Sequence, residues 1–294
     1  MANLNIKIGN YCVSESSRPY LIAEIGINHN GDIKIAKRLI DAAFACEWDC
    51  VKFQKRTPDK AVPESQKQIM RDTPWGSMPY IEYKKHIEFE KKEYDEIDAY
   101  CDIKPLDWSA SPWDIESLEF LLQYDVPFIK IPSAMNTNEE LIKKACQSGK
   151  PIILSEGMSL LEEMDTTIEW LERYSNGDYI ICHTNSSYPC PNNELNLRLI
   201  QTMKDRYHCL VGYSGHESNL EPSVIAAVLG ACVIERHVTL DHNMWGSDQK
   251  ASLEVQAMAM LKKRISSSLE ALGDGKKKLY ESEMKKRMEL RGRK

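Results

Sequence analysis

Short apolar segments alternate with longer amphipathic ones along most of the chain. Each apolar segment is rich in Ile, Val and Leu, is too short to form a helix, and is bounded by polar or turn-forming residues. This pattern is typical of buried β-strands. We predict eight strands, at 20–26, 49–54, 106–112, 127–133, 151–157, 178–185, 209–215 and 232–239.

The stretches between these strands include amphipathic helical patterns, most clearly at 32–47, 138–150 and 219–231. In the second, a pair of Glu residues begins the helix, and Gly149 is suited to ending it in a left-handed conformation. Apolar strands alternating with helices predict a parallel sheet that is covered on both sides. Eight such units predict an α/β fold, a closed (β/α)8 TIM barrel. A doubly wound open sheet is the alternative.

Three segments lie outside the repeat. Residues 5–13, within an N-terminal extension over 1–19, have the pattern of a hairpin that could plug the bottom of the barrel. Segment 55–88 is a long loop after strand 2 with its own aromatic residues, typical of a lid or pocket wall. The tail 276–294 carries nine Lys and Arg against three Glu, and we favour a solvated end of the last helix over an anion-binding role. No linker is visible, so we expect a single barrel domain over 1–294.

Composition narrows the class of protein. The 294 residues are 42% hydrophobic and 28% charged, which excludes disorder, collagen and coiled coil. The formal charge of −6 disfavours nucleic acid as a partner. No apolar run has the length of a membrane span, and no signal pattern begins the chain. The nine cysteines form no CxxC pair, so we expect mostly buried thiols and a cytoplasmic protein.

Polar side chains interrupt the apolar strands near their carboxyl ends, where a barrel builds its active site. Two of them, Lys52 and Lys130, lie inside strand cores. A buried lysine is costly unless it meets an anion, so the pair predicts a carboxylate or phosphate ligand. The alternative is that these groups close the barrel mouth by hydrogen bonds to one another. The other strand-end polar residues include Glu24, Gln54, Ser111, Ser133, Ser155, Asn185, Tyr188, Ser214 and Glu235.

Two histidines end neighbouring strands. His216 follows strand 7 and His237 lies in strand 8. Two imidazoles at adjacent strand ends can share a divalent metal ion, with the Glu24 carboxylate across the closing seam of the barrel. Water would complete the coordination, giving an open Lewis-acid site.

Several sequence motifs resemble those of the sialic acid synthase family. They occur in order over essentially the whole chain. Members of that family condense phosphoenolpyruvate with an N-acetylated hexosamine to a nine-carbon acid. The motifs are AEIGINHNGD (23–32), VKFQ (51–54), KIPS (130–133), ILSEGM (153–158), SSYPCP (186–191), GYSGH (212–216), ERHVTLD (235–241) and GSDQKASLE (246–254).

The resemblance implies a role for each matched residue. Lys52 and Lys130 match lysines that bind phosphoenolpyruvate, and His216 and His237 match the ligands of manganese or magnesium. Glu24 matches the carboxylate beside a metal-bound water, and we assign it the proton of that water. Asp248 is expected to assist at the aldehyde end. The remaining matches are Ser111, Ser133, Ser155, Ser186 and Ser214 as donors to phosphoenolpyruvate, and Gln54, Tyr188 and Asp248 facing the sugar.

The resemblance also implies a reaction. The acceptor aldehyde binds the metal, C3 of phosphoenolpyruvate attacks it, water adds at C2, and phosphate leaves by C–O cleavage. An alternative is an aldolase that forms a Schiff base through Lys130 or Lys52. Another is a non-catalytic paralogue that binds a sugar or phosphate.

Departures from the family bear on the acceptor. In KIPSAMN an acidic residue that would bind the sugar is replaced by Met135, and Pro132 removes a backbone donor. Gln249 replaces a frequent His. The departures leave the acceptor open. We expect N-acetylmannosamine, its 6-phosphate or a related amino sugar, with a diacetamido-trideoxyhexose, leading to legionaminic- or pseudaminic-type acids, as the alternative. The chain stops at Lys294, where many relatives continue into an antifreeze-like (SAF) domain that supplies an arginine to a partner's site. We therefore expect no such domain, and a homo-oligomer built through barrel surfaces.

Overall fold

The N-terminal segment forms the predicted hairpin. The computed structural model describes residues 4–291, so residues 1–3 of the extension and 292–294 of the tail lie outside the described residues. Strands β1 (Asn5–Ile8) and β2 (Tyr11–Ser14) pair antiparallel. Their buried side chains pack against residues at the amino ends of the barrel strands, including Phe128 and Leu210. The hairpin therefore plugs the bottom of the barrel.

All eight predicted barrel strands are present in one parallel sheet. The last strand pairs with the first, and the sheet curls until its two end strands adjoin, where the Ser109 hydroxyl donates to the Phe128 carbonyl oxygen at 2.8 Å. The prediction of a (β/α)8 barrel is confirmed. The barrel strands are β3 (Tyr20–Gly26), β4 (Cys50–Lys55), β7 (Asp107–Pro112), β8 (Ile129–Ile131), β9 (Ile152–Ser155), β10 (Tyr179–Thr184), β11 (Leu210–Gly215) and β12 (Val233–His237).

Helices cover the outside of this sheet, and two of them begin at capping residues that the sequence shows. The Asp32 side chain accepts from the Lys34 amide, and the Asn138 side chain accepts from the Leu141 amide. Gly149 has φ +72°, as its predicted role requires. The helices are α1 (Ile33–Ala45), α2 (Pro58–Ala61), α3 (Glu64–Lys67), α4 (Tyr80–Ile87), α5 (Lys91–Ile103), α6 (Ile115–Leu121), α7 (Glu139–Gln147), α8 (Leu161–Tyr174), α9 (Leu199–Tyr207), α10 (Glu221–Val228), α11 (Val255–Leu272) and α12 (Glu281–Arg291).

Segment 55–88 is a folded wall rather than an irregular loop. It contains α2, α3, α4 and a hairpin of β5 (Met70–Thr73) and β6 (Gly76–Pro79). Tyr83 and Ile87 of α4 pack against Ile27, which follows β3, and Trp245 borders the same cluster. The wall is thereby fixed to the carboxyl-terminal face of the barrel.

The basic tail differs from its prediction. The last barrel helix ends at Leu272, and Gly273 follows with φ +61°. Residues 281–291 form the separate helix α12, which is exposed along nearly all of its length. The tail is therefore its own element and not the end of α11. Gly273 and Gly275 mark this break in the sequence. The break was not predicted because the stretches on both sides of the glycines are polar and favour a helix.

The cysteines are unpaired, and all but Cys12 are buried. This agrees with the prediction that most of them serve as small apolar side chains. Among residues 4–291, no helix is long and apolar enough to cross a membrane.

Candidate active site

A cavity of about 200 Å3 opens at the carboxyl ends of the barrel strands. Twelve of the thirteen predicted site residues line it. The exception is Asp248, whose Oδ2 atom lies 3.8 Å from Nδ1 of His237. The lining residues that were predicted are Glu24, Lys52, Gln54, Ser111, Lys130, Ser133, Ser155, Ser186, Tyr188, Ser214, His216 and His237.

Strand register explains why these side chains converge. In β12 and β3, His237 lies opposite Glu24, and Glu24 lies opposite Lys52 of β4. Alternate residues of a strand point to the same face, so Gln54 follows Lys52 into the barrel. A Cβ atom at Gly26, which has φ +54°, would lie 3.1 Å from both Glu24 and Gln54. The close approach of the Glu24 and Gln54 side chains to the backbone at position 26 therefore depends on glycine.

The two buried lysines differ in their partners. Lys52 Nζ lies 2.6 Å from a Glu24 oxygen and donates to the Ser111 hydroxyl at 2.9 Å. Lys130 Nζ donates to the Ser155 hydroxyl at 2.6 Å and has no carboxylate within 4 Å among the described residues. Burial lowers the pKa of Lys130, whereas for Lys52 the carboxylates of Glu235 and Glu24 outweigh burial and raise the pKa.

The two buried carboxylates are shifted in opposite directions. Burial raises the pKa of Glu24, with Lys52 opposing and the Glu235 charge adding to the rise. For Glu235 the ammonium groups of Lys130 and Lys52 overcome burial and lower the pKa. Two neighbouring carboxyl groups with divergent pKa values are typical of an acid–base site.

Hydroxyl groups gather on the side of the cavity formed by β8, β9 and β10. A Cβ atom at Gly157 would lie 2.5 Å from the Ser186 hydroxyl and 2.7 Å from that of Ser133. Glycine at this position therefore lets both serines reach the same space. Ser214 donates to Glu235 at 3.0 Å on the opposite side. The serines can donate to an anion held by the lysines.

The two histidines face each other across the ends of β11 and β12, with ring centroids 5.4 Å apart. His216 donates from Nδ1 to the Asn185 carbonyl oxygen at 2.6 Å, which leaves Nε2 as a free acceptor. Burial and the neighbouring His237 lower the pKa of His216 to about 4, so its ring is neutral. Nδ1 of His237 is buried without a hydrogen-bond partner in the described structure.

These features suit metal ligation, because each ring has a nitrogen that is not committed to a protein acceptor. The set is incomplete by itself. Among residues 4–291, no group of three or more His, Cys, Asp or Glu side chains is arranged to hold a metal ion. Any metal here would require oxygen ligands from water or substrate.

The remaining predicted residues border the opening. Gln54 donates to Glu24 at 2.9 Å and accepts from the Arg56 guanidinium. The Tyr188 ring lies 4.1 Å from that of His216 and is half exposed at the cavity mouth.

Two interpretations of the sequence need correction. Met135 does not line the cavity, because the turn Ser133–Met135 directs it against the main hydrophobic core, and Pro132 and Ala134 line the cavity instead. Glu235 contacts both the Ser214 hydroxyl and Lys52 but received no assigned role from the sequence. The alternation of β12, which puts Glu235 on the same face as His237, was the available signal.

His29 and His183 also lie near this face, and both make structural contacts. His29 stacks on Phe89 with centroids 3.8 Å apart, and burial lowers its pKa to about 3. His183 bonds Glu156 and the Leu195 carbonyl oxygen, each at 2.6 Å. Neither lines the cavity.

Fold and cavity together place two buried lysines and two buried histidines at the carboxyl-terminal face of a TIM barrel. Residues 39–277 match the model of the NeuB family. The N-acetylneuraminate-9-phosphate synthase of Drosophila melanogaster is 38% identical over 82% of this chain and 66% of its own length. The N,N'-diacetyllegionaminic acid synthase of Campylobacter jejuni is 37% identical over 90% of this chain and 80% of its own length.

A solved structure is similar over nearly the whole chain. The crystal structure of N-acetylneuraminic acid (sialic acid) synthetase from Leptospira borgpetersenii serovar Hardjo-bovis, in complex with citrate, has a TM-score of 0.86 and 30% identity. The match covers 99% of each chain. This protein belongs to the NeuB family.

Proposed function

We propose that this protein condenses phosphoenolpyruvate with an N-acetylated hexosamine, N-acetylmannosamine or a related amino sugar, to a nonulosonic (sialic-type) acid. The observation that carries the proposal is Lys130, a buried ammonium that has no ion-pair partner among the described residues. A bound anion would offset the cost of that burial. Phosphoenolpyruvate carries a phosphate and a carboxylate, which match the two lysines of the cavity.

The serines complete the proposed anion site. Ser133 and Ser186 share the space beside Gly157, and Ser155 is bonded to Lys130. Each hydroxyl can turn to donate to a phosphate or carboxylate oxygen. In the proposal, Ser111 and Ser214, which bond Lys52 and Glu235, supply the remaining donors.

The reaction balances without a redox partner. C3 of phosphoenolpyruvate forms a bond to the aldehyde carbon of the open-chain sugar, and the aldehyde oxygen gains a proton. A water oxygen bonds to C2, loses its protons, and the bond from C2 to the bridging oxygen breaks. Phosphate departs with that oxygen and leaves a ketone at C2.

We assign the proton steps to the carboxyl groups. Glu24 is poised to accept the proton of the attacking water, because burial raises its pKa toward the working range of a general base. In the proposal, Asp248, which lies 3.8 Å from His237, assists at the aldehyde oxygen. Gln54 and Tyr188 would hold the hydroxyl groups of the sugar.

A divalent metal ion, Mn2+ or Mg2+, is part of the proposal. His216 and His237 would hold it, since both rings keep an uncommitted nitrogen. Bound there, the ion would act as a Lewis acid on the aldehyde.

The named relatives support this chemistry and leave two acceptor classes open. One is named for a sialic acid 9-phosphate and another for diacetyllegionaminic acid. The second candidate acceptor is therefore a diacetamido-trideoxyhexose. Assembly into a homo-oligomer through barrel surfaces, a single-domain chain and a cytoplasmic location remain predictions.

The test is phosphate release from phosphoenolpyruvate with Mn2+ across a panel of acceptors, with and without a chelator. The panel contains N-acetylmannosamine, its 6-phosphate and diacetamido-trideoxyhexoses. We expect chelator-sensitive release with one acceptor. Lys130→Met should abolish it. Lys144→Met should not, because Lys144 is a partly exposed lysine of α7 that is paired with Glu119 of α6.

Other outcomes separate the alternatives. Release by the Lys130→Met variant at the wild-type rate would contradict the proposed anion site. Binding of phosphoenolpyruvate without release from any acceptor would favour the non-catalytic role. Reductive trapping of pyruvate by borohydride on a lysine would favour the aldolase.

A further inference from the structure

A second cavity of about 520 Å3 lies between the wall segment 55–88 and the residues that precede Asp248. Trp245 and Ser247 line it, immediately before Asp248 in the chain. The Tyr83 ring lies 5.0 Å from that of Trp245 and forms the facing wall. The second cavity therefore lies beside the segment that places Asp248 3.8 Å from His237 of the first cavity.

Basic side chains face this second cavity without carboxylate partners. Arg71 lies over the Tyr80 ring at 5.1 Å, and Lys84 lies 5.3 Å from the ring centres of both Tyr80 and Tyr83. Within residues 4–291, neither Arg71 nor Lys84 has a carboxylate oxygen within 4 Å, although the exposed Asp72 also lines the cavity. These cations contact aromatic faces instead.

Arg56 contacts residues of the first cavity and acts electrostatically on the second. Its guanidinium donates to Gln54, which lines the first cavity, and stacks on Trp113 at 4.1 Å. The residue is 7% exposed, and its Nη1 atom is buried without a hydrogen-bond partner among the described residues. Its charge acts on Lys84 of the second cavity.

The other lysines of the same wall show that this lack of pairing is local. Segment 55–88 also carries lysines that point away from the second cavity, and each of them has an acidic partner. The pairs are Lys55 with Glu88, Lys60 with Glu116, Lys67 with Glu64, and Lys85 with Asp59.

The electrostatic field in the second cavity is therefore positive. Burial, together with the charges of Arg56 and Arg71, lowers the pKa of Lys84 to about 8 against the opposing charges of Asp248 and Glu88. A half-buried lysine that is surrounded by other cations is unfavourable until an anion joins it. A phosphate monoester supplies close to two negative charges and three acceptor oxygens.

We propose that Arg71 and Lys84, with Arg56 behind them, bind the phosphate group of a phosphorylated acceptor, so that the substrate is an amino-sugar phosphate. This inference rests on the proposed function. The aldehyde end of the acceptor lies at His237 and Asp248, and its distal end extends past Gln54 into the second cavity. The acceptor phosphate undergoes no chemistry, since the phosphate released comes from phosphoenolpyruvate.

The first test compares N-acetylmannosamine with its 6-phosphate at saturating phosphoenolpyruvate. Two or three charge-assisted hydrogen bonds should raise kcat/KM for the phosphorylated acceptor by about 100-fold. Lys84→Met and Arg71→Met should each reduce this ratio by about tenfold. Lys85→Met, one residue along α4 and paired with Asp59, should leave the ratio unchanged.

Three outcomes would overturn the inference. Equal use of both acceptors by the wild type would overturn the phosphate site while leaving the condensation itself established. Equal losses of activity with both acceptors in the variants would have the same meaning. If no acceptor supports phosphate release, the proposed function fails, and calorimetry with N-acetylmannosamine 6-phosphate decides the site separately. Binding to the wild type that weakens in Lys84→Met but not in Lys85→Met supports the site, and absence of binding to the wild type overturns it.

Discussion

Two buried lysines face the first cavity under different electrostatic conditions. Lys52 lies 2.6 Å from Glu24 and 3.8 Å from Glu235, so its charge is balanced within the protein. Lys130 contacts only the hydroxyl of Ser155 and a backbone carbonyl oxygen. We therefore expect the Lys52 ammonium to stabilise the folded protein and the Lys130 ammonium to bind a ligand.

This difference predicts effects of different size on stability. Lys52→Met should lower the free energy of unfolding by about 3–5 kcal/mol, because two buried carboxylates lose their counter-charge. Lys130→Met should lower the free energy of unfolding much less, because Lys130 has no carboxylate within 4 Å among the described residues and acts on Glu235 only at longer range. Urea denaturation without ligand measures both. A loss in Lys130→Met as large as that in Lys52→Met would contradict the assignment of the two roles.

At the scale of elements, a buried ion pair joins the strands that carry the two histidines. Arg236, beside His237 in β12, donates to Glu217 at 2.8 Å, and both residues are fully buried. Glu217 follows His216 directly after β11 and also accepts from Tyr213 and Ser223. The pair therefore fixes the two strand ends relative to each other.

Breaking this pair should be costly. Glu217→Ala leaves the Arg236 charge buried without a partner, and we expect a loss of about 3–5 kcal/mol in the free energy of unfolding. Glu221→Ala, which breaks an exposed pair with Arg264, is the control and should cost less than about 1 kcal/mol. Similar values for the two variants in urea denaturation would show that burial of the Arg236–Glu217 pair has no special energetic role.

The sequence predicted the barrel strands better than it predicted the structure of segment 55–88. Every barrel strand was predictable because its apolar run must be buried on both sides. Strand direction then placed the site residues at one face, which is why Lys52 and His237 were found without a structure. The hairpin of β5 and β6 was not found, because its residues are largely exposed and show no alternation. The lack of carboxylate partners at Arg71 and Lys84 depends on contacts made by that irregular wall, so no motif could reveal it.

At the scale of the whole molecule, the two ends of the barrel have different tasks. The carboxyl end holds the polar cavity, with its buried charges and glycine-dependent approaches. The amino end is closed by the hairpin, whose Ile6, Ile8 and Val13 join an apolar cluster with the strand starts. In such barrels one face supports catalysis and the other supports stability. The hairpin should therefore stabilise the fold without taking part in the reaction.

Substitutions in the hairpin test this separation. Ile8 is fully buried beneath the barrel, so Ile8→Ala should cost about 2–5 kcal/mol in the free energy of unfolding. Its kcat and KM at 25 °C should equal those of the wild type, because the folded population stays dominant and the cavity lies at the opposite end. Lys7→Ala, on the exposed side of the same strand, should change neither quantity. A fall in kcat/KM for Ile8→Ala while the variant remains folded by circular dichroism would mean that packing at the bottom controls the geometry of the lysines and histidines at the top.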